Sequence, residues 1–287
     1  MRYFLLLFLG VLFFPALGQR ISGRITDLNG NAIEYVNVGI ANTSTGGISD
    51  RNGNFSIRIP DSLKNKQLLF SHLSYKAQSL PIPELFRQMS ETGEVTVALP
   101  VHAFAIAPVV VLSGRARYRR FEKTYRSAGG YIARSSIDTA QMENNEVARI
   151  NAEIGTVYTM RNRIWLKTIT LHVSRCSQDS VLMRVNLFRY EDRASIKALL
   201  HKPIYIMVRK DLKEAYYDID VEADYIVLER GEVAVGLDVV ERYGHENTYL
   251  LMPHYTGGGY RRRLLSDFVE KSSRNPGISL YGRILPD

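Results

Sequence analysis

The chain has 287 residues, 45% of them hydrophobic and 23% charged, with a formal net charge of +8. That length accommodates about two domains of roughly 100–200 residues, and the balance is that of globular protein, which argues against both disorder and a membrane-embedded body. A single cysteine, Cys176, excludes a disulfide within the chain; it reads as a small hydrophobe at a strand end. The N-terminus has the order of an export signal. Arg2 is the positive residue, Phe4 to Phe14 is apolar apart from one glycine, and Ala16-Leu17-Gly18 ends in small residues. The apolar run breaks at Pro15, short of the about 20 residues a spanning helix needs, so cleavage is expected to leave a mature chain starting near Gln19. No cysteine follows to carry a lipid, and no transmembrane segment is expected after cleavage. Loss of Arg2 leaves a net charge of +7, which suits acidic envelope surfaces.

From Ile21 to Pro60 short alternating runs are punctuated by turns. Ile21, Gly23 and Ile25 alternate with Ser22, Arg24 and Thr26, and Asn29-Gly30 supplies the positive φ that a tight turn requires. Val36, Val38 and Ile40 share the next face. A Thr, Ser and Gly loop over Asn42 to Gly47 follows, and Asp50 to Asn54 turns into Phe55, Ile57 and Ile59, so two hairpins are expected. The patterns G-x-I-x-D-x-x-G-x-x-I-x-x-V-x-V and S-D-x-x-G-x-F-x-I resemble the carboxypeptidase-regulatory-like domain, a transthyretin-like β-sandwich common in bacterial cell-envelope proteins, Bacteroidetes-type ones among them. The resemblance covers residues 20–100. It implies a fold and carries no function of its own, since such sandwiches host many roles.

Leu68 and Phe70 mark a further strand, Glu84 to Met89 one helical turn, and Gly93 to Leu99 the strand that completes the first sandwich. Pro100 and Pro108 bracket a connector into Val109 to Leu112, which resembles the strand following this domain in outer-membrane receptors. Residues 101–151 read as a basic linker. Arg115, Arg117, Arg119, Arg120, Lys123 and Arg126 interleave there with Tyr118, Phe121 and Tyr125, and a short helix is expected over Asp138 to Ile150. The interleaving is what an anionic surface or a nucleic acid would use; the expected export argues against nucleic acid.

Residues 152–287 read as a second β-sandwich, jelly-roll-like, built from six or more short strands. Trp165, Ile169, Leu171 and Val173 are expected on one face of the first, and Val181, Met183, Val185 and Leu187 on its partner. Further runs are Ile204 to Val208, Glu214 to Asp220, Val233 to Val239, Tyr249 to Met252 and Ile278 to Ile284. The fold class is therefore all-β: an N-terminal transthyretin-like sandwich and a C-terminal jelly-roll-like one, preceded by a signal peptide over 1–18 and joined by the basic linker.

The chemistry-bearing residues are dispersed. The six histidines show no spacing that would bring two ligands onto one element. Asp27 to Asn31 and Asp50 to Asn54 open like calcium loops but run through Asn-Gly into strands, which makes them turns. There is no nucleophile elbow. No catalytic residue, metal or cofactor is expected, and the strongest binding candidate is a loop from Gly257 to Arg263, whose backbone permits close approach of an anion to Arg261, Arg262 and Arg263. The sequence thus predicts an exported, non-enzymatic binding or scaffolding module, periplasmic or associated with the outer membrane, with an envelope glycan, lipopolysaccharide or an outer-membrane protein as partner. The alternatives are an accessory of an outer-membrane transporter and a glycan-acting envelope enzyme whose carboxylates sequence cannot pair.

Overall fold

The structure, a computed structural model, describes residues 18–102, 115–134, 152–177, 179–192, 195–210, 215–244, 249–263, 265–266, 269–273 and 275–286. The expected export signal, the connector after Pro108 and the helix over Asp138 to Ile150 lie outside the described residues. Among those described, no helix is long and apolar enough to cross a membrane.

The N-terminal unit comprises β1 (Gln19–Asp27), β2 (Asn37–Gly39), β3 (Gly46–Ile48), β4 (Asn54–Ile59), β5 (Gln67–His72), β6 (Tyr75–Pro81), α1 (Ile82–Thr92) and β7 (Val95–Leu99). Two sheets form, in the orders β4-β1-β7 and β3-β2-β5-β6, with β7 parallel to β1. Alternation supplies the core: Ile21, Ile25, Phe55 and Ile57 from one sheet meet Val36, Val38, Leu68 and Phe70 from the other side. Phe55 and Phe70 pack edge to face with centroids 5.5 Å apart.

Both Asn-Gly turns form, with Gly30 at φ 85° and Gly53 at φ 77°. Asp27 Oδ1 accepts from the amides of Asn29 and Asn31, and Asp50 Oδ1 from those of Asn52 and Asn54. The first does not close the expected hairpin, however. It makes one bridge, Thr26 to Ala32, and the chain then crosses to the opposite sheet. Likewise the Asp50 turn passes from β3 in one sheet to β4 in the other, and the hairpin lies between β2 and β3, inside the expected loop. A turn sets a reversal; which strand is then paired depends on where Val36 and Val38 can be buried. The expected single helical turn is the 11-residue α1, which buries Ile82 and Leu85. Asp50→Ala, which removes both amide acceptors, is expected to lower the thermal midpoint by a few degrees, read by circular dichroism; an unchanged midpoint would show the carboxylate to be merely solvated.

The second unit comprises β8 (Tyr118–Phe121), β9 (Tyr125–Arg134), β10 (Ala152–Met160), β11 (Ile164–Val173), β12 (Arg175–Cys176), β13 (Ser180–Asp192), β14 (Ser195–Ala198), β15 (Ile204–Arg209), β16 (Ala215–Asp220), β17 (Val227–Leu228), β18 (Gly231–Tyr243), β19 (Tyr249–Tyr255), β20 (Gly259–Arg263), β21 (Val269–Ser272), β22 (Asn275–Pro276) and β23 (Ile278–Ile284). A seven-stranded sheet runs β14-β13-β18-β10-β20-β21, with β15 also on β13. Facing it are a five-stranded sheet, β16-β11-β23-β8 with β17, and a four-stranded one, β12-β19-β22 with β9. Val181, Met183, Val185 and Leu187 meet Leu166, Ile169, Leu171 and Leu280 between the layers, and Cys176 is buried among them.

Two expectations need correction here. The interval read as a linker contains β8 and β9, which pair with β23 and β19. Its basic and aromatic interleaving is partly the period of an edge strand: Phe121 is buried while Tyr118, Arg119 and Arg120 are exposed, and charges along such an edge discourage pairing with another chain. Trp165 does not share a face with Ile169, because a bulge between Leu166 and Thr168 shifts the phase. Ile164 and Leu166 are buried instead, and Trp165 stacks outside on Tyr225.

A candidate anion site between the two sandwiches

Alternation along β13, β18, β10 and β20 sends one set of side chains into the core and the other onto the opposite face of the seven-stranded sheet. Register places Arg184 opposite Asp238, Asn186 opposite Gly236, and Glu153 opposite Arg262. A charged and hydrogen-bonded floor results. Arg184 donates through Nε and Nη2 to the two oxygens of Asp238, at 3.3 and 2.8 Å. Asn186 Nδ2 donates to Asp238 Oδ1 at 2.6 Å and to Glu153 Oε2 at 3.0 Å. Arg262 Nη2 donates to Glu153 Oε2 at 2.7 Å, and the Tyr260 hydroxyl donates to Glu153 Oε1. Glu153 and Asp238 are essentially inaccessible to solvent, and each is matched by a guanidinium, as buried charges must be. Burial first, and then the Glu153 charge, push the Tyr260 phenol well above its usual range, so it remains a donor. Gly236 makes room, since a Cβ there would strike the Tyr260 hydroxyl and the Glu153 carboxylate.

The N-terminal sandwich covers part of this floor. Arg184 reaches across to it, donating through Nη1 to the Tyr35 carbonyl at 3.0 Å and through Nη2 to Asn37 Oδ1 at 2.7 Å. Tyr35 is held at φ 55°, a left-handed conformation unusual for an aromatic residue. Its hydroxyl donates to Glu241 at 2.8 Å, and its ring packs edge to face on Tyr205. Leu182 and Val240 close the apolar part of this contact.

Beside the junction the two units leave an open cleft of about 710 Å³. One wall is the β5–β6 region with His72, Tyr75 and Lys76; the other carries Arg184, Asn186, Phe188, Lys197 and Arg262, with His102 and His201 also on the lining. His72 is 8% exposed. Its Nδ1 accepts the Ser74 amide hydrogen at 3.1 Å, so the neutral ring carries its proton on Nε2. Burial, reinforced by the Arg184 charge, pushes His72 down to about 4. The Arg262 guanidinium lies 4.5 Å from the Phe188 ring centre.

The three arginines expected to act together do not converge. Gly259 to Arg263 is strand β20 rather than loop, so Arg262 points into the cleft while Arg261 and Arg263 lie exposed on the alternate face. Arg119 and Arg120 sit on β8, among the facing sheets and not on the cleft lining. Sequence reading missed Glu153, Arg184, Asn186, Asp238 and His72. One signal was present. On β13 and β18 the face opposite the core carries Leu182, Phe188, Ala234 and Val240 beside its polar residues, which marks a strand covered on both faces. The histidines at 72, 102 and 201 have no local spacing and meet only through the fold. Among the described residues, no group of three His, Cys, Asp or Glu is placed to hold a metal.

The fold thus defines an all-β protein of sandwiched sheets. Its N-terminal unit is a carboxypeptidase-regulatory-like domain: residues 21–111 match the family model described as CarboxypepD_reg-like domain. No curated protein matches the chain. Among solved structures it is similar at 10% identity to the cysteine protease and lectin-like domains of Cwp84, a surface layer associated protein of Clostridium difficile, over 47% of this chain and 33% of that one, with a TM-score of 0.31. The chain therefore spans about a third of that structure. A second structure, the clostridial cysteine protease Cwp84 after propeptide cleavage, matches at 10% identity over 92% of this chain and 70% of that one, with a TM-score of 0.36. A structure of infectious bursal disease virus, Gx strain, matches at 10% identity over 93% and 60%, with a TM-score of 0.27.

Proposed function

We propose that this protein is an exported, non-enzymatic binding module of the cell envelope, and that it takes an acidic envelope component into the cleft between its two sandwiches. The observation that carries the reading is the charge of the lining. Arg184 and Arg262 are neutralised by Asp238 and Glu153, whereas Lys76 and Lys197 stand on the lining as additional cations. The apolar N-terminal run and its small residues support export, and the regulatory-like domain suits a role in binding. Because lysines on an open cleft act through a field that salt shortens, lipopolysaccharide or polygalacturonate is expected to bind with an affinity that falls as salt rises. Lys76→Gln with Lys197→Gln is expected to weaken binding about tenfold at low salt without changing the thermal midpoint. Equal binding of a neutral glucan, or no effect of the double substitution, would overturn the assignment.

A further inference from the structure

Two donors, one in each wall of the cleft, are buried and lack a hydrogen-bond partner among the described residues: Nε2–H of His72 and Nε–H of Arg262. A buried donor left unpaired is costly, and natural interiors contain few. Local groups do not relieve either one. His72 spends Nδ1 on the Ser74 amide, which leaves Nε2 on the far side of the ring from the β5–β6 turn. Arg262 spends Nη2 on Glu153 and its face on Phe188. The acceptors nearby are already engaged, since every oxygen of Glu153 and Asp238 receives at least one hydrogen bond from Tyr260, Asn186, Arg262 or Arg184. The cleft lining therefore offers donors and cations and, among the described residues, carries no carboxylate of its own.

Resting on the cleft being a binding site, we propose that it holds a specific oxyanion subsite between its walls, in which the oxygens of a carboxylate or phosphate of the ligand accept from His72 Nε2–H and Arg262 Nε–H. Chemistry selects this class. A cationic ligand would meet Lys76 and Lys197 and find no carboxylate on the lining, and a neutral hydroxyl would satisfy a donor while gaining nothing from the surrounding charge. An oxyanion does both. A carboxylate comes from an acidic sugar and a phosphate from a lipid or glycan headgroup; both present the same oxygens, and separate probes distinguish them.

The test uses the full chain with sodium phosphate, glucuronate and glucose as probes, following the imidazole nitrogens by NMR and affinity by calorimetry. Phosphate, glucuronate or both are expected to move the His72 Nε2 resonance, and glucose to leave it in place; which anion binds names the source. His72→Asn keeps an oxygen to accept the Ser74 amide and deletes Nε2, and it is expected to weaken the anion at least tenfold. Arg262→Lys keeps the charge that pairs Glu153 but loses Nε–H, and it should weaken the anion similarly. Lys197→Gln should weaken it only as far as added salt does. If anions bind with equal affinity to wild type and to a folded His72→Asn protein, the subsite is wrong while the cleft remains a binding site. Glucose binding as tightly as glucuronate, or polygalacturonate binding without any small anion, has the same consequence. If no small anion binds and neither lipopolysaccharide nor polygalacturonate does, the cleft assignment falls, and the subsite with it.

Discussion

Arg184→Met is expected to lower the free energy of unfolding by about 3–5 kcal/mol in chemical denaturation. The substitution leaves Asp238, 1% exposed, as a buried charge without its guanidinium, and it strips the Tyr35 carbonyl and Asn37 Oδ1 of their donor. Most of the loss comes from the stranded carboxylate rather than from the attraction itself, because bringing the pair out of water already offset much of that attraction. Arg184→Met combined with Asp238→Leu is therefore expected to recover a large part of the stability, and the two effects will not add. The recovered protein should still lack the two Arg184 hydrogen bonds to the N-terminal sandwich. Its denaturation is then expected to broaden or divide into two steps, since two hydrogen bonds to the N-terminal sandwich are gone and the Tyr35 contact and the Asn42 amide to Leu265 carbonyl bond remain. A double variant as unstable as Arg184→Met would show that packing, not the orphaned charge, governs the site.

What the sequence made legible was local. Alternation marks β1, β4 and β5 because each strand buries one face, and Asn29-Gly30 and Asn52-Gly53 mark turns because glycine accepts positive φ there. Partner choice was not local: β1 pairs with β4 and β7, and the two turns carry the chain between sheets. The strands in the expected linker escaped for a related reason. An edge strand such as β8 needs only one buried residue, Phe121, and otherwise has the composition of a solvated connector. The cleft was harder still. Glu153, Arg184, Asp238 and Arg262 each look like a surface charge in an alternating strand, and only registers linking residues far apart in sequence turn them into pairs. The arginine run at 261–263 drew attention through its composition, yet strand geometry divides it between two faces.

His72 is expected to make stability depend on pH. Its ring ordinarily titrates at 6.5 when the chain is unfolded but near 4 in the fold, where burial and the Arg184 charge oppose protonation. Between those values the unfolded chain binds a proton that the folded one does not. Full stability is therefore present above about pH 6.5 and is lost progressively as pH falls toward 4. At about 1.4 kcal/mol per pH unit, the gap corresponds to about 3 kcal/mol from this one side chain. Asp27, held below the usual carboxylate range first by the Asn31 side chain, contributes in the same direction at lower pH, so the whole-protein slope is not a measure of His72. The difference between wild type and His72→Asn is. Denaturation midpoints at pH 7.5 and 4.5 should converge in the variant relative to wild type; equal slopes would mean that the ring is hydrated in the fold and titrates normally. An oxyanion seated on Nε2 would favour the imidazolium and oppose the loss on acidification. Saturating anion is accordingly expected to flatten the wild-type slope between pH 6.5 and 4 and to leave that of His72→Asn unchanged, which ties the stability of the fold to occupation of the cleft.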